Sequence, residues 1–140
     1  MNNAVTIVMI EDDEGHARLI EKNIIRAGVT NPIVHFSNGA AALQYLEQNG
    51  HSARCLLVLL DLNLPDMTGI DILQKLKNHE GLRRAPVIVL TTTDDKREIE
   101  RCYELGCNVY ITKPVEYDQF AHAIRQLGLF FSVIQVPETT

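Results

Sequence analysis

The chain has 140 residues, of which 46% are apolar and 22% charged, with a formal net charge of −5. At that length roughly 70% of the unfolded surface can be buried, so one globular domain is expected and disorder is excluded. The acidic balance speaks against a surface that tracks nucleic-acid phosphates, and no apolar run reaches the ~18 residues that cross a bilayer.

The chain opens MNNAVTIVMIEDD, without the basic leader or small-residue cleavage site of a signal peptide, and a cytoplasmic location is expected. Its first apolar run, VTIVMI (5–10), ends in Glu11-Asp12-Asp13. Ala17, Ile20, Ile24 and Ala27 then follow helical spacing up to Gly28. The second run, IVHF (33–36), precedes Asn38, a helix-starting residue, then the stripe Gly39, Ala42, Leu43 and Leu46, and a stop at Gly50. The third, CLLVLL (55–60), runs into Asp61 and the loop LNLPDMTG, where Pro65 and Gly69 direct the path into a helix capped by Thr68. Gly69, Ile72, Leu73 and Leu76 give that helix its buried stripe.

The fourth run, VIVLT (87–91), continues into Thr92 and Thr93, and Asp94 or Asp95 starts a helix carrying Ile99, Cys102 and Tyr103 and ending at Gly106. The fifth, VYI (109–111), leads into Thr112-Lys113-Pro114, and Phe120, Ala123, Ile124 and Leu127 mark a last helix. Five βα units with continuously apolar strands imply an α/β fold: a five-stranded parallel sheet covered by helices on both faces. Right-handed crossovers favour the flavodoxin-like strand order 2-1-3-4-5. Residues 1–128 read as this domain and 129–140 as an apolar extension, with no separate output domain. Cys55, Cys102 and Cys107 form no CxxC pair and read as reduced, space-filling thiols.

Ligands of a doubly wound sheet lie beyond the carboxyl ends of its strands, at the switch point between strands one and three. Glu11, Asp12 and Asp13 would share that crevice with Asp61. Two carboxylates 4 Å apart repel by ~4 kcal/mol at an effective dielectric near 20, a cost that a divalent cation reverses. Mg²⁺ prefers one or two carboxylates together with phosphate oxygens, which suits Asp12 and Asp61, with Glu11 acting through water. Thr91 would add a hydroxyl donor, and Lys113, at the end of an edge strand, an ammonium able to reach carboxylate or phosphate. Each signal has a plain structural alternative: helix caps for the acidic run and the threonines, a solvated side chain for Lys113, a loop residue for Asp61. Jointly they describe a cation-plus-phosphoryl site with an aspartyl nucleophile.

The segments IEDD (10–13), LLDLNLPDMTG (59–69), LTT (90–92) and YITKP (110–114) resemble the signatures of response-regulator receiver domains of two-component signalling, over residues 4–128. The resemblance implies Asp61 as phosphoacceptor, Glu11 and Asp12 as the acidic pair on Mg²⁺, and the main-chain carbonyl of Asn63 as a further metal ligand. It implies Thr91 and Lys113 as the grip on phosphoryl oxygens, Thr91 and Tyr110 as the switch pair, and a cis peptide between Lys113 and Pro114. The resemblance also implies that Asn63 and Thr93 occupy the positions that tune phosphoryl lifetime in receivers. Such a protein is a phosphoacceptor that promotes its own phosphorylation and dephosphorylation rather than a turnover enzyme, and its partner is a sensor histidine kinase.

A narrower resemblance, in LRRAPVIVLTTTDD, YELGCNVYITKPV and LFFSVIQVP, is to single-domain regulators paired with phytochrome-type kinases. In those the tail mediates pairing, so Leu129, Phe130, Phe131, Val133, Ile134 and Val136 are expected in a homodimer contact, with folding back onto the domain as the alternative. Neither nucleic acid nor membrane is expected as a partner. A flavodoxin-type flavin site conflicts with Glu-Asp-Asp at the first βα turn, and a haloacid-dehalogenase-type phosphatase conflicts with IEDDEG in place of DxDx(T/V). A degenerate receiver that only docks conflicts with the full set of acceptor, acidic pair, threonine and lysine.

Overall fold

A computed structural model describes residues 5–48, 56–92, 94–113 and 116–123. The elements alternate as β1 (Thr6–Ile10), α1 (Glu14–Arg26), β2 (Ile33–Phe36), α2 (Gly39–Gln48), β3 (Leu56–Asp61), α3 (Gly69–Asn78), β4 (Val87–Thr91), α4 (Lys96–Leu105) and β5 (Val109–Thr112). A further helical segment covers 117–123. All strands are parallel, in the order β2-β1-β3-β4-β5. The expected flavodoxin-like fold is the observed one.

The unbroken apolar strands follow from burial on both faces. Because side chains alternate across a strand, Val8, Ile10, Val58, Leu60, Val87 and Val89 enter one core with Ala42, Leu46, Ile72, Leu73, Leu76 and Cys102 from α2, α3 and α4. Ile7, Met9, Leu57, Leu59, Ile88, Leu90 and Ile111 enter the other, against Ala17, Ile20 and Ile24 of α1 and Phe120 and Ala123 of the 117–123 segment. Among the described residues the predicted stripes are therefore buried or partly buried, with one exposed member. On α4 Cys102 is buried but Tyr103 is half exposed, its hydroxyl accepting the Tyr110 amide N–H.

Helix starts use the side chains expected of them: Asn38 Oδ1 accepts from Ala41 N and Thr68 Oγ1 from Asp71 N. Of the two aspartates before α4, Asp95 is the cap. Gly106 ends α4 at φ +106°, a left-handed conformation that glycine adopts without strain. Gly50, Cys55, Thr93, Pro114, Ile124, Leu127 and the whole 129–140 extension, with the cis peptide and pairing contact expected there, lie outside the described residues.

Candidate functional site at the carboxyl edge of the sheet

Strand register brings the candidate residues to one edge. Ile10 pairs with Leu60, Asp61 with Leu90, and Thr91 with Thr112, so Glu11 and Asp61 end their strands at one level, with Thr91 one residue and Lys113 two residues further along. The Lys113 amide donates to the Thr91 carbonyl at 2.6 Å, carrying the β4–β5 pairing up to the lysine itself.

The three acidic residues after β1 have separate duties. Glu11 is buried, its amide bonded to the Phe36 carbonyl of β2, and its carboxylate takes the Lys113 ammonium and the Asp13 amide. Asp12 is exposed at the mouth of the crevice. Asp13 is the N-cap of α1: its Oδ1 accepts from His16 N at 2.9 Å, and that N–H holds the carboxyl below its ordinary range. The helix-cap reading thus holds for Asp13, while Glu11 and Asp12 face the site.

Asp61 is 4% exposed, the last residue of a strand buried along its whole length. Its Oδ1 accepts from the Asn63 amide at 3.2 Å and its Oδ2 lies 3.5 Å from Lys113 Nζ. Burial is the main cause that pushes its carboxyl up to about 7; the Asn63 N–H opposes it, the Glu11 charge adds to it, and Lys113 pulls back. One buried ammonium thus faces two buried carboxylates. Glu11, Asp12 and Asp61 each offer an oxygen, and these lie within 4.8 Å of one another. This donor set fits a hard divalent cation: all oxygen, anionic in excess, and short of positive charge.

The loop after β3 is held tightly. Asn63 and Thr68 bridge antiparallel, and the Gly69 amide donates to the Leu62 carbonyl. A Cβ on Gly69 would fall 2.5 Å from the Asp61 carbonyl oxygen and 2.6 Å from Leu62 Cα, so the backbone itself requires glycine. Asp66 reaches across to α2, accepting from Gly39 N at 2.8 Å and Ala40 N at 2.9 Å. Thr91 is fully buried at the end of β4. Tyr110 is half-buried, packed against the core shared by α2, α3 and α4, and its phenol is pushed up chiefly by burial.

Three contacts were not visible in the sequence. His35 Nε2 lies 2.7 Å from the Glu11 carbonyl, His16 Nδ1 lies 3.3 Å from Lys113 Nζ, and Asp66 caps a helix that begins 27 residues before it. Each joins residues far apart in the chain, where no local pattern announces them.

The family described as the response regulator receiver domain matches residues 7–125. The chain belongs to that family. A crystal structure of a receiver domain from Rhodospirillum rubrum is 68% identical, with a TM-score of 0.78, covering 92% of this chain and 94% of that one. The response regulator Rcp1 of Synechocystis is 35% identical over 80% of this chain and 78% of its own length. A crystal structure of the Mn²⁺-bound form of Rcp1 aligns with a TM-score of 0.73 at 29% identity, over 91% of this chain and 94% of that one. The phosphorylated cyanobacterial phytochrome response regulator RcpA is 33% identical, TM-score 0.73, over 91% of this chain and 93% of that one. This receiver is thus a two-component signalling protein similar to phytochrome response regulators. Among its described residues no helix is long and apolar enough to cross a membrane.

Proposed function

We propose that this receiver accepts a phosphoryl group on Asp61 from a sensor histidine kinase of the phytochrome type, in an Mg²⁺-dependent reaction, and signals by the change of shape that follows. The observation that carries the proposal is the Lys113 ammonium bridging Glu11 and Asp61 beside a triad of carboxylate oxygens. These groups would supply, side by side, an acceptor carboxylate, a cation for the incoming phosphoryl oxygens and a place for a metal. That RcpA was solved phosphorylated and Rcp1 with Mn²⁺ supports the same reading.

An Asp61 carboxylate oxygen attacks phosphorus, the bond to the kinase imidazole nitrogen breaks, and an acyl phosphate forms. Asn63 N–H holds one Asp61 oxygen and so orients the other for attack. Lys113 and the Thr91 hydroxyl would bind phosphoryl oxygens as charge accumulates on them. Glu11, Asp12, Asp61 and the Asn63 carbonyl would hold Mg²⁺, which when bound neutralises phosphoryl charge. The same groups serve hydrolysis of the acyl phosphate. Thr91, drawn toward the phosphoryl group, would bias a pre-existing equilibrium that Tyr110 reads out.

With acetyl phosphate and Mg²⁺ the intact mass should rise by ~80 Da for one phosphoryl group. Asp61→Asn should abolish the gain and Asp12→Ala should weaken Mg²⁺ binding. Labelling that survives Asp61→Asn would sink the assignment. The apolar 129–140 segment is proposed as a homodimer contact. Light scattering should show a dimer for the full chain and a monomer for a chain ending at Gly128.

A further inference from the structure

We propose that His16 is a positioning residue for Lys113, acting through its unprotonated Nδ1; the inference rests on the phosphoacceptor reading of the same site. An ammonium has three N–H donors and no acceptor. Lys113 Nζ faces three acceptors: a Glu11 carboxylate oxygen, Asp61 Oδ2 at 3.5 Å and His16 Nδ1 at 3.3 Å. Glu11 anchors the ammonium, and Asp61 is the contact that must change when a phosphoryl group arrives. His16 is therefore the one contact of the three that leaves both carboxylates unencumbered.

The local sequence explains why the imidazole is there. Asp13 caps α1 by accepting the His16 amide, which fixes His16 in the first turn facing Lys113. Residues 11 to 16 thereby supply two grips on one lysine, Glu11 from the strand end and His16 from the helix start. The chemistry fixes the tautomer: Nδ1 can accept a lysine N–H only with the ring proton on Nε2. A flexible four-carbon side chain, only 6% exposed, is thus held at a defined point beside Asp61. Without His16, Lys113 keeps its charge but loses one of its restraints.

The test compares His16→Leu with His16→Asn, since the asparagine Oδ1 takes the place of Nδ1 as an acceptor while leucine offers none. Phosphorylation by acetyl phosphate, followed by mass, should slow about fivefold in His16→Leu, the worth of one ordinary net hydrogen bond. It should return to within about twofold of wild type in His16→Asn, with Mg²⁺ affinity and Tm unchanged in both. A wild-type rate in His16→Leu, no recovery in His16→Asn, or a loss that tracks Mg²⁺ affinity or Tm would overturn the proposal. A second measurement is independent of phosphorylation. In the ¹⁵N spectrum at pH 8 the wild-type His16 should carry no proton on Nδ1, and that resonance should move in Lys113→Met. If wild type takes no phosphoryl group but the ¹⁵N result holds, the phosphoacceptor reading fails and the contact stands. A ring protonated on Nδ1, or a resonance indifferent to Lys113→Met, overturns the positioning role itself.

Discussion

Asp61→Asn should stabilise the metal-free protein at alkaline pH. Burial and the neighbouring Glu11 charge raise the Asp61 carboxyl from 3.8 to about 7. A group whose folded pKa lies above its unfolded value contributes stability that is present below the unfolded value and lost as pH rises through the folded one. For Asp61 the loss runs between roughly pH 4 and pH 7. At ~1.4 kcal/mol per unit its full extent is about 4 kcal/mol, and an asparagine that keeps the Asn63 contact but adds an NH₂ near Lys113 would recover about 2–4 kcal/mol of it. For a chain of this size that is a Tm rise of about 5–15 °C. Urea denaturation in EDTA at pH 5 and pH 8 provides the assay. The variant's advantage should be small at pH 5, large at pH 8, and reduced by Mg²⁺, which stabilises the wild type more because the variant has lost one carboxylate ligand. Parallel stability curves for the two proteins, or a variant less stable at pH 8, would refute the reasoning.

Gly69→Ala should cost about 3 kcal/mol, the upper end of ordinary overpacking, because the new Cβ meets backbone on both the Asp61 and Leu62 sides. Thermal melting should show a drop of about 6–12 °C, and phosphorylation should slow because the Asp61 carbonyl must move; an unchanged melt would contradict the clash. Cys102 and Cys107 should resist iodoacetamide in the native protein at pH 7.5. Burial holds their thiols up at about 11 and about 12, where almost no thiolate is present. Rapid modification of either without unfolding would count against their burial.

Much of the site was legible because a parallel sheet sends every carboxyl end to one edge, so residues that merely follow an apolar run are automatically neighbours. Glu11, Asp61, Thr91 and Lys113 each follow or close such a run, and strand order alone assembled them. The acidic run Glu11-Asp12-Asp13 was legible only in part. Its members are chemically alike but diverge in use, because Glu11 continues the strand inward while Asp13 takes the dihedrals of an N-cap. Nothing in composition distinguishes those fates.

The supports were hidden for a different reason. Asp66 on α2 and His16 on Lys113 depend on a loop and a helix start meeting other elements at the sheet edge, and His35 on the Glu11 carbonyl depends on the pairing of β2 with β1; polar residues at such places have many local uses. A tight site needs such supports all the same. Two buried carboxylates and one buried ammonium are aimed by directional hydrogen bonds and ion pairs, some of them from distant parts of the chain. The acidic and basic residues that would perform phosphoryl transfer are therefore set by strand ends, and how well they are aimed by residues that no linear motif contains.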